Sequence, residues 1–515
     1  MVMALKALLG IVAGLGVLIL GLRLTHPLPD PPAEPASTAI AASPDTPLGA
    51  ALMPMMDAHP GLSGVVGLAD GRDALAARVL LARAARHSID AQYYIWQTDT
   101  TGWLLLDELR AAAERGVRVR LLLDDNGIPG LDNVLADLDA LENFEVRLFN
   151  PFTLRRPKLL SYTFDFFRLN RRMHNKSMTV DGIATVIGGR NIGDIYFAYG
   201  EGTAYFDFDA LAVGPAAADV AETFDLFWAS GSSHPAANIL PPSRGGLAEL
   251  AAAASEAKRS ARGSDYAAAI AEAPVLARVL AGADILEWTT VTLVSDDPAK
   301  GLGRTGDALL IRRLPALLDA PAESLDLVSA YLIPGRAGTE LLKGYLQAGV
   351  ATRIVTNSLE ATDVPIVHSG WMRYRERLVR AGAEVLELKA RPDRPADPSL
   401  AQLLTGSQSS LHAKTFAVDR QRIFIGSFNF DPRSAMLNTE MGFLIDSPDI
   451  ATDLARSLDQ GRSFYRVVAA DDRGLAWIET HDDGATRTHR TEPNTSATKR
   501  AMVRVLGWLP LEWVL

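Results

Sequence analysis

The chain contains no cysteine among its 515 residues. This absence excludes disulfides, thiolate nucleophiles, zinc sites built on cysteine and lipid attachment through an N-terminal cysteine, and it leaves the redox compartment open. The chain also lacks an excess of basic residues, because its formal net charge is -10. Proteins that bind nucleic acid usually carry a basic field. We therefore do not expect a nucleic-acid partner, although a local basic site is compatible with this balance.

The N-terminus holds a long apolar run, which is short for a membrane span. The 16 residues from Ala7 to Leu22 are all apolar or glycine, between Lys6 and Arg23. A spanning helix needs about 20 apolar residues, with roughly 17 as a lower limit, and snorkelling of the flanking cations extends the run. We expect residues 1–25 to form a transmembrane anchor, with a cleaved signal peptide as the alternative. Residues 26–60 are rich in proline and alanine and predict an extended linker.

The remaining chain shows an internal repeat. Apolar content is 48% and charged content 22%, as in folded proteins, and the length favours more than one domain. Twice, a strand-like run is followed by an amphipathic helix that ends at glycine and by a second strand-like run, at residues 88–123 and 324–356. This alternation indicates α/β units. We expect homologous α/β domains at residues 61–235 and 271–515, with an alanine-rich helical connector at 236–270.

A polar motif is repeated at the same place in both halves. Each copy has the spacing H-x-K-x4-D-x6-G-[GS]-x-N, without gap or insertion. The first copy contains His174, Lys176, Asp181 and Asn191, and the second contains His412, Lys414, Asp419, Ser427 and Asn429. Two matched copies predict one pseudo-symmetric site that both halves share.

The residue types of the motif suit a phosphodiester. Histidine and lysine at positions i and i+2 of a strand point to the same face. Two such pairs bring two imidazoles and two ammonium groups to one place, where the lysines can hold phosphate oxygens. One imidazole can attack phosphorus while the other protonates the leaving alkoxide and later deprotonates the acceptor. This chemistry needs neither a metal ion nor a cofactor, and we predict none.

Carboxylates are expected behind the histidines, because a carboxylate that binds one ring nitrogen leaves the other to react. Asp207 and Glu440 each lie eight residues before a proline, Pro215 and Pro448, and we predict that they orient the histidines. Asp209 is the alternative to Asp207. Asp181 and Asp419 belong to the motif and count among the catalytic candidates, but their positions in turns favour a structural role.

A basic and aromatic stretch precedes the first motif. Residues 154–172 contain six arginines and lysines, one acid and several aromatic residues. This composition suits an interface with anionic lipid headgroups. It also suits an ordinary loop over a buried aromatic cluster, or a site for single-stranded nucleic acid.

The doubled motif resembles that of the phospholipase D superfamily. Further segments are similar to the bacterial cardiolipin synthases, most of all to their C type. They are Ala91–Trp96, Arg115–Arg120, Met173–Ser177, Gly188–Gly193, Gly426–Arg433 and the ending at residues 509–513. One departure from the superfamily pattern is Gly189, where the second copy has Ser427.

The resemblance implies two homologous domains around one site and a ping-pong reaction through a phosphatidyl-histidine. It implies His174 as nucleophile, His412 as general acid and base, and Asn191, Ser427 and Asn429 as substrate-binding residues. It further implies phosphatidylglycerol as substrate, phosphatidylglycerol or phosphatidylethanolamine as donor, and the bacterial inner membrane as location. The sequence identifies no protein partner. The alternatives are a phospholipase D-type hydrolase that makes phosphatidic acid, a phosphodiesterase on another substrate and a non-enzymatic scaffold.

Overall fold

A computed structural model describes residues 2–29, 36–197, 204–272, 277–279, 285–390, 409–459, 463–470, 474–481, 483–509 and 512. Residues 30–35 of the predicted linker and Trp513 lie outside these ranges. The strands form two large sheets, one for each half, and helices cover them. The predicted α/β organisation into two homologous halves is confirmed.

The first half is built on a nine-stranded mixed sheet. Its strands are β1 (Ser63–Leu68), β2 (Ser88–Ile95), β3 (Arg118–Gly127), β4 (Phe144–Phe149), β5 (Ser177–Val180), β6 (Ala184–Gly188), β8 (Asp209–Val213), β9 (Ser233–Pro235) and β10 (Glu287–Thr289). Its helices are α3 (Gly71–Ala84), α4 (Thr100–Glu114), α5 (Asp132–Leu138), α6 (Tyr162–Leu169), α7 (Pro215–Trp228), α8 (Gly246–Arg259) and α9 (Ala261–Glu272). A short strand, β7 (Ala204–Phe206), lies outside this sheet.

The second half is built on a ten-stranded sheet. Its strands are β11 (Val291–Ser295), β12 (Ser324–Ser329), β13 (Ala351–Asn357), β14 (Glu384–Leu388), β16 (Lys414–Val418), β17 (Arg422–Gly426), β18 (Met441–Ile445), β19 (Phe464–Ala469), β20 (Leu475–Thr480) and β21 (Thr486–His489). Its helices are α10 (Leu310–Leu318), α11 (Gly335–Gln347), α12 (Pro365–Arg380), α13 (Pro432–Met436), α14 (Pro448–Asp459) and α15 (Ala497–Trp508). The remaining strand, β15 (Ser409–Leu411), pairs with β7 of the first half.

The two sheets repeat one strand order. The first runs β10-β1-β8-β6-β5-β2-β3-β4-β9 and the second β11-β18-β17-β16-β12-β13-β14-β19-β20-β21. In each, three neighbouring strands are parallel, β2-β3-β4 and β12-β13-β14, because helices connect them. The motif follows as an antiparallel hairpin, β5-β6 and β16-β17, at the edge of the parallel strands. The histidines therefore occupy equivalent positions in the two halves.

The N-terminal segment differs from the prediction in two ways. Residues Val2–Thr25 form a helix, α1, but among the helices in the described part of the chain none is both long and apolar enough to cross a bilayer. The predicted transmembrane helix is therefore not supported. The predicted linker contains a packed helix, α2 (Pro47–Ala58), capped by Thr46. Leu48 and Leu52 of α2 are fully buried in the first core, because they lie on one face of the helix.

The boundary between the halves also lies elsewhere than expected. Strand β10 still pairs with β1 of the first sheet, and the second sheet begins at β11, so the sheets change at residue 290 rather than 271. The alanine-rich connector packs on the first half, where α8 contacts α4 and α5 and α9 contacts α3. Buried Leu250, Ala257 and Tyr266 on these helices explain the attachment. The periodicity correctly predicts helices there, but their packing partner depends on contacts distant in sequence.

The two sheets share one apolar core. Ile187, Phe208 and Ala212 from the first half are buried in the same cluster as Val355 and Ile425 from the second. Burial of apolar surface is favourable by about 25 cal/mol per Å². A core shared in this way fixes the orientation of the halves, and the site at their junction is held rigidly.

Candidate active site

Backbone pairing between the halves brings the two histidines together. His174 donates its backbone N–H to Thr439 O at 2.9 Å, and Thr439 donates to Arg172 O at 3.0 Å. At the equivalent position, His412 donates its backbone N–H to Phe206 O at 2.7 Å, next to the β7–β15 pair. Each histidine segment is thus bonded to the segment of the other half that carries the predicted carboxylate.

The histidine–carboxylate pairs are therefore crossed between the halves. His174 Nδ1 lies 2.8 Å from Glu440 Oε2 and 3.2 Å from the carbonyl oxygen of Ser427. His412 Nδ1 is hydrogen-bonded to Asp207 Oδ2. The second half orients the first histidine and the first half orients the second. Asp209, the alternative to Asp207, instead pairs with Arg78 at 2.9 Å.

The two lysines lie beneath the histidines. Lys176 Nζ donates to the carbonyl oxygen of His174 at 2.6 Å, and Lys414 Nζ lies 3.0 Å from His412 Nδ1. Both lysines are almost fully buried. Burial lowers the pKa of both ammonium groups. An entering phosphodiester brings negative charge, which favours the ammonium form.

The electrostatics of the two pairs differ. Burial and the lysine charges hold the pKa of His174 well below its usual value, and burial raises the pKa of Glu440 to about 7. Burial and Lys414 also lower the pKa of His412, while the Asp207 carboxylate opposes this shift. Burial alone would raise the pKa of Asp207, but the charges of His412 and Lys414 outweigh it and hold that pKa below its usual range. Burial thus favours the neutral form of both imidazoles, whereas the pKa values of their carboxylate partners shift in opposite directions.

The one departure from symmetry in the motif has a steric cause. Ser427 Oγ donates to Glu440 Oε2 at 2.5 Å and accepts from the backbone N–H of Met441 at 3.1 Å. A Cβ at the equivalent Gly189 would lie 2.0 Å from Asp207 Oδ1. The shorter aspartate needs the space that the serine side chain fills in the other half. Glycine at 189 is therefore paired with aspartate at 207, and serine at 427 with glutamate at 440.

The predicted asparagines lie in the interior. Asn191 Oδ1 accepts from the backbone N–H of Ile95 at 3.1 Å, and its buried Nδ2 has no hydrogen-bond partner among the residues that the structure describes. Asn429 is 3% exposed, and its Oδ1 also has none. Unsatisfied buried polar atoms are costly in free energy, and each is a candidate for contact with a ligand.

Asp181 and Asp419 are not brought to the histidines. They adopt positive φ values of 49° and 53° in the turns after β5 and β16. Asp181 accepts backbone N–H groups of residues 86–88, and Asp419 those of residues 322–324. Each is five residues beyond the motif lysine, about 16 Å along an extended strand. The prediction that Asp181 and Asp419 are catalytic is therefore corrected. Their geometry agrees with the alternative interpretation, a structural role in the turns.

Replacing Asp181 with alanine is expected to lower stability rather than turnover. Several backbone donors would lose their acceptor, at a cost of about 1–3 kcal/mol in the free energy of unfolding. Denaturant titration together with kcat measures both quantities. Asp419→Ala is the matched control, because Asp419 is more exposed and its loss should cost less. A kcat more than tenfold below wild type in folded Asp181→Ala protein would contradict the structural role.

Two aromatic residues at the site are absent from the sequence prediction. The ring of Tyr94 lies 5.0 Å from that of His174, edge to face, and Lys176 Nζ lies 5.4 Å from the Tyr94 ring. The ring of Tyr196 lies 5.2 Å from that of His412. In the sequence, the only indication that Tyr94 belongs to the site is the similarity of its segment, Ala91–Trp96, to the synthases. Tyr94 also lines a cavity of about 430 Å³, together with Gln97 and Asn126.

The basic and aromatic stretch is more apolar at its surface than its composition predicts. Arg155 and Lys158 pair with Asp132 and Asp125, Arg168 with Asp165, and Arg172 with Asp124. The exposed side chains are largely apolar, with Leu159 74% and Phe167 72% exposed, and Leu160 and Phe166 less so. Helix α1 contacts α6, where the His26 and Phe164 rings are 6.2 Å apart.

Comparison with known proteins gives a consistent result. The family model described as "Cardiolipin synthase, PLD-like domain" matches residues 80–228 and 314–461, one match in each half. The chain is 44% identical over 473 residues to cardiolipin synthase C of Escherichia coli (strain K12), covering 91% of this chain and 99% of that protein. It is 25% identical over 387 residues to cardiolipin synthase B of the same strain, covering 75% of this chain and 76% of that protein.

Among solved structures, the fold is similar to that of phosphatidylserine synthase from Haemophilus influenzae Rd KW20. The TM-score is 0.56 at 14% identity, and the match covers 90% of this chain and 99% of that one. At this identity the likeness concerns the fold alone.

Proposed function

Since the chain belongs to the cardiolipin synthase family of proteins with phospholipase D-like domains, as its sequence resemblance predicted, we propose that it is a phosphatidyltransferase that makes cardiolipin. The substrates are phosphatidylglycerol and a second phosphatidyl donor, either phosphatidylglycerol or phosphatidylethanolamine. The observation that carries the proposal is the crossed arrangement of two histidine–carboxylate pairs over two buried lysines.

In the first step, His174 Nε2 attacks the phosphorus of the donor lipid. A P–N bond forms and the P–O bond to the donor's headgroup alcohol breaks. His412, as the imidazolium, gives its proton to the departing alkoxide. Nδ1 of His174 is held by Glu440 and Ser427, which directs Nε2 to the substrate. Lys176 and Lys414 stabilise the charge on the phosphoryl oxygens.

In the second step, the neutral His412 takes the proton from a glycerol hydroxyl of phosphatidylglycerol. The resulting alkoxide attacks phosphorus, a new P–O bond forms and the P–N bond to His174 breaks. Asn191, Asn429 and Ser427 are proposed to bind substrate or hold the site around it, because Asn191 and Asn429 have buried polar atoms without a partner in the described part of the chain. Burial and the lysine charges favour the neutral form of His174, as a nucleophile requires, and the Asp207 carboxylate stabilises the imidazolium of His412, as an acid requires.

We further propose that the protein works at the bacterial inner membrane. The exposed apolar side chains of residues 159–167 suit insertion among lipid headgroups, as do the exposed apolar side chains of the neighbouring α1 (Val12, Leu15, Val17, Leu18 and Leu20). The proposal therefore includes attachment to the membrane through the exposed apolar side chains of α1.

The proposal is tested with purified protein in vesicles of phosphatidylglycerol, alone and with phosphatidylethanolamine. Cardiolipin is the expected product, and the His412→Ala protein serves as the negative control. Because the proposed mechanism uses no metal ion, full activity is expected in excess chelator. Phosphatidic acid as the sole product would instead identify a hydrolase. Release of nucleotides from DNA without lipid turnover would identify a phosphodiesterase on another substrate.

A further inference from the structure

An apolar cavity of about 410 Å³ lies between α10 and α11 of the second half. Its floor is formed by strands β12 and β16 through Leu327 and Phe416, and its walls include Leu314 and Leu342. Leu341, which is 50% exposed, lies at its mouth. The volume falls within the range of about 300–1,000 Å³ that is usual for ligand sites. We call this cavity the α10–α11 groove.

The first half shows that the fold does not require such a space. There α3 and α4 occupy the equivalent positions over β2 and β5 and pack against each other, with α9 against α3 and α8 against α4. Leu75, Val79 and Leu105 on these helices are fully buried. Helix α3 has 14 residues, whereas α10 has nine. The shorter helix leaves a groove where the first half has a filled core.

The groove adjoins the candidate active site at the segment after β17. Phe428 and Phe430 line the groove. Ser427, on the alternate side, hydrogen-bonds Glu440 behind His174. Side chains alternate along an extended segment, so Asn429 is directed away from the groove. One layer of backbone therefore separates the groove from the catalytic groups.

Helix α13 lies between the groove and the end of α6. Ala435 lines the groove, and the next residue, Met436, is 45% exposed. Arg433 of the same helix donates to Asn170 Oδ1 at 2.6 Å, at the end of α6. The groove therefore lies close to the end of α6, whose exposed apolar residues are proposed to contact lipid.

We propose that the α10–α11 groove binds one acyl chain of a phospholipid substrate. The proposal rests on the proposed function in that the substrate is a phospholipid. The charged residues of the lining are two acids: Asp319 binds Arg422 at 3.0 Å and Asp431 caps α13 through Ser434 N at 2.7 Å. Acids would repel an anionic headgroup, whereas the apolar remainder suits a hydrocarbon chain.

Photolabelling locates the chain directly. Phosphatidylglycerol with a diazirine at the end of one acyl chain is incorporated into vesicles, irradiated with the protein and mapped by peptide mass spectrometry. Adducts are expected on α10 and α11. Ala337→Trp, which fills the groove from an exposed position, should reduce them at least tenfold. Gln347→Trp, exposed on the same helix and outside the groove lining, is the matched control and should label as wild type.

Donor consumption gives a second readout. With monomeric phosphatidylglycerols of four to six carbons per chain, KM should fall about fourfold for each methylene added to the bound chain. Ala337→Trp, and Leu341→Asn as a second variant, should flatten this dependence while their melting temperatures stay near wild type. Labelling elsewhere, or an unchanged dependence in both variants, would overturn the proposal. If the groove is labelled but phosphatidic acid is the sole product, only the proposed synthase function is wrong. If cardiolipin is made but the groove is not labelled, only the proposed binding of an acyl chain in the groove is wrong.

Discussion

His174→Ala and His412→Ala are each expected to lower the rate of cardiolipin formation by about four orders of magnitude or more. Both imidazoles belong to one site, because the halves are joined by the pairs His174–Glu440 and His412–Asp207. If either variant kept more than about a tenth of the wild-type rate, the shared site would be wrong. His87→Ala is the control, because that histidine lies outside the site, 3.4 Å from Asp45.

The two variants are expected to fail at different steps. A phosphatidyl donor with a nitrophenolate leaving group needs no proton from an acid, so His412→Ala should still form the P–N bond. We expect a burst of nitrophenolate and a covalent phosphatidyl adduct on the peptide that contains His174. His174→Ala should give neither. An adduct on His412 in the His174→Ala protein would reverse the assigned roles.

Much of this site could be predicted from the sequence because its determinants are local. The spacing from histidine to asparagine spans one hairpin in each half, and a hairpin of fixed length places its ends predictably. The carboxylates Asp207 and Glu440 could be found because each lies at a constant distance before the proline that begins a helix, α7 or α14. Spacing along the chain is therefore enough to predict which residues each half contributes to the site.

The crossing of the pairs could not be predicted from the sequence. It depends on the pairing of β7 with β15, two strands of three residues that are about 200 positions apart in the chain. Strands this short have no periodicity of their own, and their pairing follows from the apolar core that the sheets share. The helix α2 was missed for a related reason, since Pro47 and Pro54 suggest a linker until buried Leu48 and Leu52 are seen in the core.

Gly189→Ala is expected to lower kcat by about 10³-fold although it adds one methyl group. The backbone φ of Gly189 is outside the left-handed region, so alanine introduces no backbone strain there. Its Cβ would lie 2.0 Å from Asp207 Oδ1, and the carboxylate must move away from His412. An imidazole without its orienting carboxylate loses the correct tautomer and its stabilisation as an imidazolium, effects worth about 10³- to 10⁴-fold in comparable sites. Steady-state kinetics with a melting curve separates this loss from unfolding.

A double-mutant cycle tests the cause. In the Asp207→Ala background the collision is absent, so adding Gly189→Ala should change kcat by less than about threefold. Multiplicative losses in the double variant would contradict an action of Gly189 through Asp207. Ser427→Ala in the other half is the matched control, because it removes the hydrogen bonds of Ser427 Oγ with Glu440 and with the backbone N–H of Met441 without a collision. The kcat of Ser427→Ala should be about tenfold to a hundredfold below that of wild type, as expected for the loss of a charge-assisted hydrogen bond. Gly189 is then a positioning residue, because its lack of a side chain leaves the space in which Asp207 can bind His412.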